Sequence, residues 1–158
     1  MNIVKAACKG VTYHNPLKSD DGYTLFSPNG RTDTWLIDIH GSIVKRWRFN
    51  RIPGEAAVLL PNGHVLRAQY VKPPDQLGIP QSAQGNGGEL IEMDWNGKVV
   101  WQADVPYQTH EFFPLDNGNI LYCYCGPETV IDKELTKKWK GGIPGTEFHG
   151  VIYGDGIV

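Results

Sequence analysis

Apolar and polar residues alternate over short runs along most of the chain, and Gly, Pro, Asn or Asp separates one run from the next. Alternation with a period of two predicts half-buried β-strands. No long stretch shows the 3.6-residue period of an amphipathic helix, and the best helical candidate, residues 133–140, is short and mostly polar. The pattern therefore predicts an all-β protein.

The strand pattern repeats itself along the chain. Residues 36–39 (LIDI) match residues 90–93 (LIEM) at a spacing of 54, and Trp47 matches Trp101 at the same spacing. Residues 60–66 (LPNGHVL) match residues 115–121 (LDNGNIL) at a spacing of 55. A period of this length is typical of the four-stranded blade of a β-propeller.

The best-preserved repeat contains four predicted strands, A to D, at residues 55–60, 64–70, 89–94 and 98–103. Asn62-Gly63 and Asn96-Gly97 are expected to form two-residue hairpin turns, because both residue types tolerate positive φ. An earlier repeat supplies strands B, C and D at residues 23–27, 34–39 and 43–49. A later one supplies strands A and B at residues 109–115 and 119–125, and the start of strand C at residues 156–158.

These strands predict a partial β-propeller of about two and a half blades. An N-terminal extension, residues 1–21, precedes the blades, which occupy residues 22–49, 55–103 and 109–158, the third being incomplete. A closed propeller needs at least four blades. We therefore expect a second polypeptide, a symmetry copy or the remainder of a longer chain to complete the ring.

The connections between strands predict where a functional site lies. The A–B and C–D turns are tight, whereas the B–C and D–A connections share the opposite face. These are residues 50–54, 71–88, 104–108 and 126–155, of which the second and fourth are long, at 18 and 30 residues. Long loops commonly carry function. Strand A lines the central channel, so Glu55 in one blade and His110 and Glu111 in the next are expected at the channel mouth.

His110 is the leading catalytic candidate, because an imidazole titrates near neutrality and can accept a transferred group. His149, at the end of the longest loop, is a second one. Candidate substrate contacts are an anion-binding arginine, an aromatic side chain and polar residues of the mouth, namely Arg51, Glu55, Tyr107, Gln108 and Glu111. The structural alternative for His110 is a bond to a neighbouring blade or to water, and for His149 a bond to the backbone. For Arg51 it is an ion pair with a carboxylate of a neighbouring blade.

Composition excludes several classes of protein. The chain has 158 residues, with 15 basic and 17 acidic side chains and a net charge of −2, so no basic patch for nucleic acid is expected. No apolar run reaches membrane-spanning length, and no signal peptide is evident, so a cytoplasmic protein without membrane contact is predicted.

No cofactor is predicted, although a metal ion remains open. His110 and His149, with Glu55 or Glu147, could hold an ion, and Cys123 with Cys125 could hold zinc. The structural alternative for these two cysteines is that they are buried small side chains.

Two segments resemble the repeats of arylsulfotransferase-like propellers: residues 109–121 (THEFFPLDNGNIL) and residues 90–101 (LIEMDWNGKVVW). The resemblance covers roughly residues 22–121. It implies an enzyme that moves a sulfuryl group from an aryl sulfate to a phenol through a transiently modified histidine, with His110 as a channel-mouth histidine that is either the nucleophile or a supporting residue. Two other functions stay open: a non-catalytic propeller subunit of a hetero-oligomer, and a metal-dependent propeller enzyme.

Overall fold

The computed structural model describes residues 11, 13–72, 87–126, 130–131, 152–154 and 156–158. These residues form β-strands and turns and contain no helix. The strands are β1 (Tyr23–Phe26), β2 (Asp33–Asp38), β3 (Ile43–Arg48), β4 (Pro53–Leu59), β5 (Val65–Tyr70), β6 (Gly88–Met93), β7 (Val99–Asp104), β8 (Gln108–Pro114), β9 (Ile120–Tyr124), β10 (Val130–Ile131), β11 (Ile152–Tyr153) and β12 (Gly156–Ile157).

Three antiparallel sheets follow one another along the chain. Sheet 1 has the order β1-β2-β3, sheet 2 the order β4-β5-β6-β7 and sheet 3 the order β12-β9-β8, while β10 and β11 form a separate pair. The all-β prediction is confirmed, and every predicted strand is present within two residues of its expected ends. The pair β10–β11 was not predicted, and the helical candidate 133–140 lies outside the described residues.

Four tight turns join the strands of the hairpins, and all have the same hydrogen bonds. In each, a glycine N–H bonds to the carbonyl three residues earlier, at Gly41, Gly63, Gly97 and Gly118. These glycines have φ between 81° and 87°. Asn62 does not share a positive φ, so the expected two-residue turn is wrong. Pro61 fixes the φ that a type I turn needs at its second position, and Gly63 then takes the left-handed conformation of a three-residue loop.

Hydrogen bonds align the C–D hairpins of sheets 1 and 2 at a spacing of 56, not the 54 counted from the sequence. Asp38 and Asp94 hold the same place in the two turns. Trp47 and Trp101 are therefore not equivalent: the Trp47 indole donates 2.9 Å to the Asp94 carbonyl of the next sheet, and the Trp101 indole donates to Glu92 of its own sheet. Positions two apart share a face of a strand, so the matched tryptophans still lie on corresponding faces.

Two apolar clusters hold the three sheets face to face. The first lies between sheets 1 and 2 and contains Leu25, Leu36, Trp47, Phe49, Val65, Ile91 and Met93. The second lies between sheets 2 and 3 and contains Leu66, Ala68, Leu90, Val105 and Phe112, with Val58, Trp101, Ile120 and Tyr122 packed against it. Each fully buried aliphatic side chain contributes about 1.5–3 kcal/mol to the free energy of folding.

Within the described residues no sheet closes on itself, so the β-propeller stays a prediction. What is observed is a stack of three sheets in which β4 and β8 lie side by side at one edge. The part of the chain that the structure describes also contains no helix that is long and apolar enough to cross a membrane.

Candidate functional site

The pairing of β4 with β5 and of β8 with β9 is irregular near the first residues of β4 and β8. The register shifts between Pro53 and Ala57 in β4, and between Thr109 and Phe112 in β8. Such bulges re-aim side chains and are frequent beside active sites. Here they lie 55 residues apart, at matching positions of the repeat.

Three non-glycine residues with positive φ occur in the described part of the chain: Glu55 at 83°, Tyr107 at 65° and His110 at 50°. The sequence singles out all three as residues of the channel mouth. Glu55 and His110 fall within the two bulges, again 55 residues apart. The left-handed conformation costs about 1–3 kcal/mol for a residue other than glycine, and such residues concentrate at functional sites.

The bulges bring Glu55 and His110 together across the two strands. The distance from His110 Nε2 to Glu55 Oε2 is 4.0 Å, which is within ion-pair range and too long for a hydrogen bond. The His110 side chain is 62% exposed and that of Glu55 37%. Water therefore screens the pair, and its charge interaction contributes little to stability.

An open groove of about 1210 Å³ runs along β4, β8 and the edge of β1. Glu55 and Glu111 lie at the mouth end, and the hairpin turns at Asn62 and Asp116 lie at the other end. His110 is not part of the wall. The wall between the two ends is mainly apolar, with Leu25, Phe26, Ala56, Ala57, Val58, Leu60, Phe112, Phe113 and Ile120 among its residues.

Tyr107 precedes β8, and Gln108 is its first residue. Both belong to a turn closed by a 3.1 Å bond from the Gln108 N–H to the Val105 carbonyl. Pro106 occupies the second position and Tyr107, with its positive φ, the third, as in a type II turn. The Tyr107 ring packs edge-on against Tyr124, with centroids 6.0 Å apart. Tyr107 is half-buried and therefore partly accessible to a ligand at the mouth.

Gln108 is buried, with 1% of its surface exposed, so it packs inside the structure instead of facing the groove. Its Nε2 donates to the Thr109 carbonyl at 3.0 Å. Within the described residues, the Gln108 Oε1 and Thr109 Oγ1 atoms are buried without a hydrogen-bond partner. Gln108 also covers Gly87 closely, since a Cβ added there would meet Gln108 Oε1 at 1.8 Å.

Arg51 forms an ion pair with Glu89, with 3.5 Å between Nε and Oε2. This is the structural alternative that the sequence left open, an arginine engaged by the carboxylate of a neighbouring strand. The Arg51 side chain is about half exposed.

Arg67 and Gln69 belong to a buried polar network that the sequence did not reveal. Arg67 is fully buried beneath Arg51. Its guanidinium lies 3.6 Å from the Phe49 ring centroid and donates to the Arg51 carbonyl at 2.7 Å and to Gln69 Oε1 at 2.8 Å. Gln69 donates in turn to Glu89 at 2.7 Å. Burial lowers the pKa of Arg67 to about 9, an effect that Asp33 partly opposes. One feature of the sequence could have indicated this network: the polar residues Arg67 and Gln69 alternate with apolar residues in β5, a strand that is buried on both faces.

The remaining candidates are His149, Glu147, Cys123 and Cys125. His149 and Glu147 lie outside the described residues. Cys123 is half-buried and Cys125 buried. Among the described residues no three His, Cys, Asp or Glu side chains converge in a way that could hold a metal ion.

Comparison with known protein families, with curated proteins and with solved structures gave no match for this chain.

Proposed function

We propose that this chain forms part of a β-propeller enzyme that transfers a group, a sulfuryl group in the first instance, to an aromatic acceptor at the channel mouth. One observation carries the proposal: Glu55 and His110 hold strained backbone conformations at matched positions of two adjacent inner strands and face each other at 4.0 Å. Strain that serves no packing purpose is typical of a functional site.

In this proposal Glu55 orients the His110 ring through its Nε2–H, and the Nδ1 lone pair attacks the donor. The S–O bond of the aryl sulfate breaks as the N–S bond forms, and the phenolate leaves. The acceptor phenol then attacks sulfur, the N–S bond breaks, and the phenolic proton passes to the carboxylate. Tyr107 and the apolar groove wall are suited to hold aromatic rings.

The donor sulfate also needs a cation. The mouth carries the carboxylates of Glu55 and Glu111, and the nearby Arg51 is paired with Glu89. A cation from the polypeptide that completes the ring would meet this need and would place the site between two chains.

The test uses the purified native protein with 4-nitrophenyl sulfate as donor and a phenol as acceptor. We expect His110→Ala to lower the rate at least about 100-fold and Glu55→Gln to lower it about tenfold or more, because each removes a participant in proton or group transfer. The matched control is His40→Ala, since His40 is an exposed histidine of the tight-turn face. A folded His110→Ala protein with an unchanged rate would refute the catalytic role.

A non-catalytic propeller subunit is the second candidate. The exposure of His110 and the absence of a hydrogen bond to Glu55 favour it. It predicts no turnover in the native assembly and an unchanged set of bound partners in His110→Ala, measured by native mass spectrometry.

A further inference from the structure

We propose that Asn29, in the connection between β1 and β2, is a site of spontaneous modification at which the side-chain amide is lost and a carboxylate is gained. The inference is independent of the proposed function, because it requires neither a closed propeller nor a substrate. Its basis is a difference between two turns that share the tripeptide Pro-Asn-Gly, residues 28–30 and residues 61–63.

Asparagine followed by glycine is the dipeptide that deamidates most readily. The backbone nitrogen of the glycine attacks the side-chain carbonyl carbon of the asparagine, a C–N bond forms, and ammonia leaves as a cyclic succinimide is produced. Water then opens the ring at either carbonyl and leaves aspartate or isoaspartate. Glycine favours the reaction because it has no Cβ to hinder rotation of the backbone. The attacking nitrogen has to lose its proton, so a hydrogen bond from the glycine N–H to an acceptor opposes the reaction.

The glycine N–H is bonded in the turn at residues 61–63. Gly63 is the last residue of this turn, and its N–H donates to the Leu60 carbonyl at 2.9 Å. The Asn62 Oδ1 atom accepts a second bond from the His64 N–H, also at 2.9 Å. Both bonds must break before the nitrogen of Gly63 can attack the side chain of Asn62.

The same tripeptide is shifted by one position in the turn at residues 28–31. Here the Arg31 N–H donates to the Pro28 carbonyl at 3.1 Å, so Asn29 is the second and Gly30 the third residue of the turn. Gly30 has a φ of 73°, as the third residue of a type II turn requires. The N–H of a third residue has no bond within the turn, and that of Gly30 donates none elsewhere among the described residues.

The surroundings of this turn also leave it free to open. Asn29 and Gly30 are both exposed. A Cβ added to Gly30 would meet no atom within 4 Å apart from its neighbours in the chain, so no side chain packs against the turn there. Rotation of the Asn29–Gly30 peptide therefore breaks one backbone bond, the one that closes the turn. Local openings of this kind need little free energy.

The other described Asn-Gly pairs resemble residues 62–63. The N–H groups of Gly97 and Gly118 donate to the carbonyl three residues earlier, at 3.0 and 2.9 Å. A further pair begins at Asn86, which lies outside the described residues. Among the described pairs, the one at residues 29–30 is therefore the only one whose attacking nitrogen donates no hydrogen bond.

The modification would change the backbone close to the buried network of Arg67. The carbonyl of Thr32 accepts from the Phe49 N–H at 3.0 Å and from Arg67 at 3.3 Å. Isoaspartate at residue 29 would lengthen the chain before Thr32 by one methylene group, and either product adds a negative charge close in sequence to the exposed Arg31. The contact between sheets 1 and 2 is therefore where we expect the modification to act.

Ageing of the purified native protein in mildly alkaline buffer, followed by proteolysis and mass spectrometry, tests the inference. We expect Asn29 to be modified at least about tenfold faster than Asn62, because the hydrogen bonds at Asn62 and Gly63 must break first. The rate at Asn29 should rise with pH, since the attacking nitrogen has to lose its proton. In urea the two sites should react at similar rates, because the tripeptide is the same.

Two variants complete the test. Asn29→Gln should abolish the modification of its peptide, since glutamine would have to close a larger ring, and the matched Asn62→Gln should leave the rate at Asn29 unchanged. Equal rates at the two asparagines of the native protein, or a faster rate at Asn62, would overturn the inference. A preference for Asn29 that persisted undiminished in urea would do the same, because the flanking sequence and not the turn would then be its cause. The readout needs no turnover, so it is unaffected by the outcome of the transfer assay.

Discussion

Three residues that the sequence predicts at the channel mouth, Glu55, Tyr107 and His110, hold a backbone conformation that only glycine adopts without strain. Each costs about 1–3 kcal/mol, which the rest of the fold has to offset. Tyr107 follows a proline that fixes the preceding turn position, while Glu55 and His110 belong to bulges. The positions of these bulges correspond in two successive repeats, so the distortion belongs to the repeat and not to one loop.

Replacing Glu55 by glycine tests this strain. We expect Glu55→Gly to raise the free energy of unfolding by about 1 kcal/mol, because glycine reaches φ 83° without a Cβ clash. Transfer activity should fall in the same variant. Urea unfolding followed by tryptophan fluorescence measures the first effect.

The control is Glu111→Gly, at an exposed position of the same mouth that lacks a positive φ. It should lower the free energy of unfolding by about 0.5–1 kcal/mol, since glycine adds backbone entropy to the unfolded chain. If both variants were destabilised equally, the conformation of Glu55 would not be strained.

The sequence could place these residues but could not describe their surroundings. Glu55, His110 and Tyr107 were located because strand starts can be read from alternation and turn residues. Gln108 was expected in a loop that contacts substrate and is buried instead, because it is the first residue of β8, pairs with Tyr124 and packs against Gly87. The engagement of Arg51 depends on Glu89, a partner 38 residues later that only the folded sheets bring near.

At the scale of elements, ion pairs between the neighbouring strands β2 and β3 stabilise sheet 1. Arg46 on β3 donates two bonds to Asp33 on β2, at 2.9 and 2.8 Å. These bonds, with lesser contributions from Arg46 and Arg48 as nearby charges, hold the pKa of Asp33 below its ordinary 3.8. A carboxyl with a lowered pKa in the folded state stabilises the protein above pH 3.8, and this stabilisation is lost as the pH falls through the folded value.

Asp33→Asn should therefore unfold at a lower urea concentration than the unmodified protein at pH 7. The difference should shrink as the pH falls below 3.8 towards the lower pKa of the folded state, because Asp33 is protonated in both states only below that value. Exposed Asp116→Asn is the control and should change little at either pH. A difference that stayed constant from pH 7 to pH 2 would indicate lost packing instead of lost charge.

The strands themselves were predictable because alternation of apolar and polar residues follows directly from burial of one face. The turns were less predictable than the strands. Asn-Gly indicates a hairpin, but the residue before it decides the turn type, and Pro61 favours a three-residue loop. The spacing of 54 in place of 56 arose because residues 36–39 (LIDI) resemble residues 90–93 (LIEM), and the tryptophans match at the same spacing. The hydrogen bonds of the turns decide which residues are equivalent, and these cannot be read from the sequence.

At the scale of the whole molecule, Arg67 joins two sheets. It donates to the Thr32 carbonyl and to Thr34 Oγ1 on one side, at 3.3 and 3.4 Å, and to Gln69 on the other. Its Nε is buried and has no hydrogen-bond partner in the part of the chain that the structure describes. Removing a buried guanidinium that forms most of its possible hydrogen bonds lowers the free energy of unfolding, because its hydrogen-bond acceptors are then left unpaired.

We expect Arg67→Ala to lower the free energy of unfolding by about 2–4 kcal/mol. Since Arg67 belongs to the interface between sheets 1 and 2, the urea transition should also broaden as the two sheets begin to separate. Arg31→Ala, which removes an exposed arginine from the loop before β2, should leave the transition in place. Equal effects of the two variants would show that Arg67 does not couple the sheets.

The outer edges of the sheets differ in a way that matters at high concentration. β3 carries Lys45, Arg46 and Arg48, and these charges repel a second β3. β7 presents Val99 and Val100, 41% and 50% exposed, with a charge only at Asp104. Charged side chains protect edges from unwanted pairing, and apolar β-branched residues promote it. In a crowded cell or a concentrated sample, self-association that leads to fibres would begin at β7, and a single lysine placed at Val100 would be enough to discourage it.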